Sequence, residues 1–171
     1  MVQVVDTRLP EHYRGDDDVP LSPVVVDALA AADVTPCRRV LRGHMRTAVN
    51  VPWTSVVDRQ SALIVDRRRL VDAFQTAGVD VGRPLTTTGY VGDTACLVAM
   101  AAVHCGAGDV AVYTGSWTEW SQLADSRLTV RGDGGRDLDG LCPTQWESSK
   151  TEFMSIVDDM RQSTVNCHVP V

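Results

Sequence analysis

The chain has 171 residues and a mass of 18.6 kDa, the size of one domain able to bury a real core. With 44% apolar and 22% charged residues it is neither disordered nor fibrous in composition. A net charge of -6 and a pI near 5.1 argue against nucleic-acid binding as its main task, though not against a seat inside a larger complex.

The opening Met1-Val-Gln-Val-Val-Asp6 carries no basic-then-apolar signal peptide and no Arg/Ser-rich presequence, and reads as a strand that begins at once. Gly15-Asp-Asp-Asp18 is an acidic turn. Leu21 to Asp33 reads as a helix, with Ser22 as N-cap and Pro23 in its first turn. Arg38, Arg39, Arg42 and Arg46 form a basic stretch leading to Ala48-Val-Asn-Val-Pro52. After a short strand-like Leu63-Ile-Val65, residues 67–77 read as an amphipathic helix carrying Leu70, Val71 and Phe74, with Gly78 as its stop. Pro84 to Thr88 is a second strand, Asp93 to Cys105 an almost wholly apolar helix, and Asp109 to Thr114 a third strand. Helices between strands of this length imply an α/β fold, a parallel sheet covered on both faces. Segments 2–8, 84–90 and 109–114 are expected to be neighbours in it, with helix 93–105 packed across them.

Around residue 125 the character changes. Residues 125–143 include the Gly/Asp-rich run Gly132 to Gly140, which reads as a linker; set on a calcium loop, it puts Trp146 where Glu is needed. Residues 144–171 read as a helical extension and tail, with Phe153, Ile156, Val157 and Met160 at helical spacing and Trp146 upstream. Burying such a stripe is worth several kcal/mol at about 25 cal/mol per Å². The expectation is docking on a partner protein through 132–171, the alternative a further layer on its own domain.

The five cysteines Cys37, Cys96, Cys105, Cys142 and Cys167 make no C-x-x-C pair and no zinc spacing. Neither a disulfide framework nor a metal site is expected, and no cofactor. The compartment expected is a reducing one, the cytoplasm or the mitochondrial matrix. No apolar run approaches the roughly 20 residues that cross a bilayer.

Four motifs carry a resemblance. Val5-Asp6-Thr7-Arg8 with Tyr13-Arg14-Gly15 is similar to "DAR…RFRG", and Arg42-Gly43-His44-Met45-Arg46 through Asn50-Val51-Pro52-Trp53 to "GHIPGALNVPW". Pro84 through Cys96 is similar to "PVVATCGSGVTAC", and Tyr113-Thr114-Gly115-Ser116-Trp117-Thr118-Glu119-Trp120 to "YDGSWSEW". Together they resemble a rhodanese-like domain of the mercaptopyruvate/thiosulfate sulfurtransferase family, the second domain of the tandem enzymes. The resemblance covers residues 2 to 124, with 16–36 as an insertion. The strand and helix that usually precede "DAR" are absent, as is any first half, so a truncated chain is expected.

The resemblance implies a catalytic Cys at the end of a parallel strand, in a loop opening a helix whose backbone N–H groups lower the thiol pKa and hold an anion. With Gly92, Thr94, Ala95 and Cys96 in register, that Cys falls on Gly89, the loop Ser on Val91, and Asp93 takes the usual Val position. Glycine cannot carry a persulfide. Asp93 reads as an N-cap whose carboxylate competes with an anion for the helix N–H groups. The substrate Arg falls on His12, a cation only below about pH 6.5. Arg8, Arg14 and Arg38 are left as candidate anion-binding remnants, surface solvation or pairing with Asp16–Asp18 being the alternative. Cys96 is the candidate displaced thiol, with core packing its simpler role. His44 reads as structural, and Trp117 and Trp120 as packing the last helix on the sheet.

Two functions follow. One is an inactive, sulfurtransferase-derived module serving as a structural or binding subunit of an assembly such as a mitochondrial ribosome or another multiprotein complex. The other is an active thiosulfate or 3-mercaptopyruvate sulfurtransferase using Cys96 or a missing partner domain. The loss of the Cys, Ser and Arg positions together favours the first.

Overall fold

The structure, a computed structural model, describes residues 2–16 and 42–130. The helix expected over 21–33, nearly all of the insertion 16–36, Arg38, Cys37, residues 131–143 of the linker and the extension 144–171 lie outside the described residues.

Four parallel strands form the central sheet: β1 (Gln3–Asp6), β3 (Ala48–Asn50), β6 (Leu85–Thr88) and β7 (Val110–Val112), in the order β3-β1-β6-β7. Val5 lies opposite Val49 and Thr87, and Thr87 opposite Val112. The three strands expected as neighbours are therefore neighbours, and parallel. Parallel pairing needs a crossover between strands. Helix α2 (Arg67–Thr76) lies on the crossover from β3 to β6, and α3 (Asp93–His104) on that from β6 to β7. Helix α2 starts where the Asp66 carboxylate accepts the Arg69 amide at 3.1 Å and stops before Gly78 at φ 76°.

Side chains alternate across each strand. Val5, Leu85 and Val112 face one side, where Leu70 and Phe74 of α2 and Val98 and Ala102 of α3 cover them. Val4 and Tyr113 face the other, packed with Met45, Leu128 and the indoles of Trp117 and Trp120. These indoles come from α4 (Ser116–Leu123), so helices cover both faces, and the two Trp residues pack as expected.

Some elements escaped the sequence reading. A five-residue helix α1 (Pro10–Arg14) follows β1, and two short antiparallel pairs flank the sheet: β2 (His44–Met45) with β8 (Thr129–Val130), and β4 (Val57–Asp58) with β5 (Leu63–Ile64). The strand expected at 63–65 thus sits in a hairpin outside the central sheet. No helix among the described residues is long and apolar enough to cross a membrane.

Candidate functional site

The carboxyl end of β6 runs into the loop Gly89–Gly92 and then into α3, the place where a parallel sheet offers a ligand its helix N-terminus. The loop is held from below by α4. The Gly89 amide donates to Ser116 Oγ at 3.1 Å, and the Trp117 amide donates to the Gly89 carbonyl at 3.0 Å. The amide and hydroxyl of Thr118 both donate to the Tyr90 carbonyl, at 3.2 and 2.7 Å. Ser116 is fully buried at φ 52°, a strained backbone for a residue with a Cβ, and its hydroxyl donates to the Tyr113 carbonyl at 2.8 Å. Gly92, at φ 98°, a left-handed backbone that favours glycine, caps the start of α3. The N-cap is therefore Gly92. Asp93 is the first helical residue, exposed, and its carboxylate accepts the Thr94 amide at 2.7 Å. Val91 is half-buried between the two.

At Gly89 the backbone is crowded. A Cβ there would stand 2.6 Å from Thr94 Oγ1 and 3.1 Å from Thr7 Oγ1. The Thr7 hydroxyl donates to the Thr88 carbonyl at 2.9 Å, so its 2.8 Å bond with Thr94 is donated by Thr94. Two hydroxyls in a chain of hydrogen bonds close the space beside the strand end. Sequence reasoning passed over Thr7 and Ser116; Thr7 stands at the middle of Asp6-Thr7-Arg8 and Ser116 within the "GSW" run, the only signals available.

The residues assigned to an anion are scattered. Arg8 is 2% exposed. Its Nη2 donates to Asp6 at 2.6 Å and to the Gly43 carbonyl at 2.7 Å, its Nε bonds the same carboxylate, and its guanidinium stands 4.5 Å from the Trp117 ring and 5.3 Å from that of Tyr90. It braces the exit of β1 against α4 and the loop. His12 sits edge-on to Tyr90, with ring centres 5.6 Å apart. Arg14 pairs with Asp16 at 2.6 Å in open solvent, where such a pair is worth little. His44 stacks on Tyr13 at 3.8 Å and donates through Nδ1–H to the Tyr13 carbonyl; burial lowers its pKa, an effect this hydrogen bond opposes. Tyr113 donates to Glu119 at 2.6 Å, and burial together with that carboxylate raises its pKa.

The expectation that Cys96 packs in the core is corrected. Ala95, Val98, Ala99 and Ala102 form the buried side of α3, while Cys96 is exposed on its outer side. Cys96 stands about 100° around the helix from Ala95, on the side turned away from the sheet. Cys105 is buried at the far end of α3, and burial raises its pKa. Cys142 and Cys167 lie outside the described residues. Among the described residues no three His, Cys, Asp or Glu side chains form a group able to hold a metal ion.

No family model matches the sequence. Thiosulfate sulfurtransferase of Rattus norvegicus is 35% identical over 135 residues, which cover 78% of this chain and 40% of that protein. The 3-mercaptopyruvate sulfurtransferase of Homo sapiens is 35% identical over 122 residues, covering 71% of this chain and 35% of that one. The chain thus spans well under half the length of these relatives. The yeast mitochondrial complex I sub-stoichiometric sulfur transferase subunit, seen by cryo-EM, superimposes with a TM-score of 0.60 at 26% identity, over 77% of this chain and 38% of that subunit.

Proposed function

We propose that this chain, a homologue of the thiosulfate and 3-mercaptopyruvate sulfurtransferases with the rhodanese fold, is a catalytically inactive module that serves as a structural or binding subunit of a larger assembly. The observation that carries this reading is at the end of β6. Sulfur relay needs a side chain able to hold a persulfide, and the residue there is Gly89, with the adjoining space taken by the hydroxyls of Thr94 and Thr7. The anion side is weakened as well. Gly89 gives its amide to Ser116, Asp93 places a carboxylate on the second amide of α3, that of Thr94, and Arg8 is spent internally on Asp6.

Other protein subunits are the partners of such a module, in the mitochondrion or the cytoplasm, with residues 132–171 as the contacting region. The similarity to a subunit solved as part of mitochondrial complex I supports this reading. Thiosulfate or 3-mercaptopyruvate with cyanide, read out as thiocyanate, tests it. No turnover is expected from the unaltered chain, and little from Gly89→Cys, because Asp93 and His12 remain in place. Turnover in the unaltered chain that disappears in Cys96→Ser overturns the reading in favour of a displaced thiol.

A further inference from the structure

Helix α3, Asp-Thr-Ala-Cys-Leu-Val-Ala-Met-Ala-Ala-Val-His, has apolar side chains nearly all the way round, the pattern of a helix enclosed on every side. The described residues enclose one side of it. On the other, Cys96, Met100 and Val103 face the β5 hairpin across a groove of about 570 Å³, floored by Val65, Val110 and Val112. Met100 is 58% exposed and Ile64, on the opposite wall, 36%. Strand β7 is the last in the sheet order, so among the described residues the groove also opens on a sheet edge.

We propose that this groove is the seat of the chain's own residues 144–161. Phe153, Ile156, Val157 and Met160 recur at i, i+3, i+4 and i+7, an apolar stripe of the kind that lies along a helix such as α3. The charges match too. The segment carries Glu147, Glu152, Asp158 and Asp159 against Lys150 and Arg161, an acidic excess, while the end of the groove at His104 lies beside the exposed Arg67, which donates to the Cys105 carbonyl at 3.2 Å. Reach is sufficient: residues 131–143 follow β8 and extend at roughly 3.4 Å each, about 40 Å in all. That exceeds the width of a domain of this size. A tethered segment also meets its groove at an effective concentration of order millimolar, which a separate partner rarely matches. Seated there, the segment turns its polar side and the tail 162–171 outward to other subunits. The inference narrows the contacting region of the proposed function from all of 132–171 to the outward side of the segment and the tail, and it holds whether or not the chain turns over sulfur.

Cys96 lines the groove and reports on its cover. Maleimide labelling of the full chain, resolved by peptide mapping, should be at least tenfold slower at Cys96 than in the double variant Ile156→Asp/Val157→Asp. Met100→Glu, which places a charge on the groove wall instead, should speed labelling equally and guards against a fault of folding in the first variant. The slow labelling should not change on dilution. Equal rates in the full chain and both variants overturn the proposal, and so does a protection lost on dilution, which assigns the groove to a second copy.

Discussion

Beneath α2 and α3 the sheet is closed by Leu70, Phe74, Val98 and a run of small alanines, and beneath α4 it is closed by Trp117, Trp120 and Met45 around a charged pair. The first side needs only shape and burial. On the second, Asp6 and Arg8 are each 1% exposed at the side chain, and the carboxylate also accepts the Arg8 amide at 3.0 Å. Taking two ions out of water costs several kcal/mol each, and their attraction returns this only when the geometry is good and the remaining donors are used. Here they are used, on Gly43 and over the Trp117 ring. The pair thus contributes little net stability and a great deal of arrangement: it fixes where β1 exits relative to the Gly43 turn, the Tyr90 loop and α4.

The comparison breaks most sharply at Arg8. Arg8→Met keeps much of the volume but strands the Asp6 carboxylate, and should lower the unfolding free energy by about 4 kcal/mol in urea titration. Adding Asp6→Asn should restore a large part of it. On the other side Leu70→Ala should cost about 3 kcal/mol through transfer and cavity terms, whereas the volume-conserving Leu70→Met should cost under about 1.5 kcal/mol. Should Arg8→Met prove as mild as Leu70→Met, the two sides do not differ in the way argued.

The site loop gives a finer test. Gly89 shows no positive φ, so its backbone tolerates a Cβ, but Gly89→Ala would push on Thr94 Oγ1 and break the Thr94 to Thr7 hydrogen bond. A loss of about 1 kcal/mol is expected. In the background of Thr94→Ala the same substitution should cost less, only the 3.1 Å approach to Thr7 Oγ1 remaining. A neutral or stabilising Gly89→Ala on its own would show that the strand end has room for a side chain, and would remove the steric half of the argument for inactivity.

Much of this was legible in the sequence because it depends on local pattern. The runs 2–8, 84–90 and 109–114 announce strands, and Gly78 announces the end of α2. That a glycine, Gly89, stands where the resemblance implies a Cys was likewise visible once the four motifs were set in order. Helix α1 and the two-residue strands were not, because five residues or fewer carry no period. Nor was the fate of Arg8. An Arg two residues after an Asp reads equally as a solvent-facing cation or as an internal brace, and what decides is Trp117 and Gly43, far away in the chain. The outward turn of Cys96 was missed for a related reason: a helix apolar on all sides gives no face to choose, and only the sheet beneath it makes the choice.

The smallest expected effect concerns the edge of the charged side, at His44. Its ring is buried against Tyr13, and burial holds its pKa below the ordinary value near 6.5 in spite of the hydrogen bond to the Tyr13 carbonyl. In the unfolded chain the ring takes up a proton as pH falls through about 6.5, while in the folded chain it resists until lower pH. Stability from this group is therefore complete above about pH 6.5 and declines as pH falls from there toward the folded value. Urea midpoints taken from pH 7.5 down to pH 5.5 should fall, and His44→Gln should flatten that decline while leaving the Tyr13 contact partly in place. A slope that survives His44→Gln would mean that the pH sensitivity of this side does not come from the buried His44 ring.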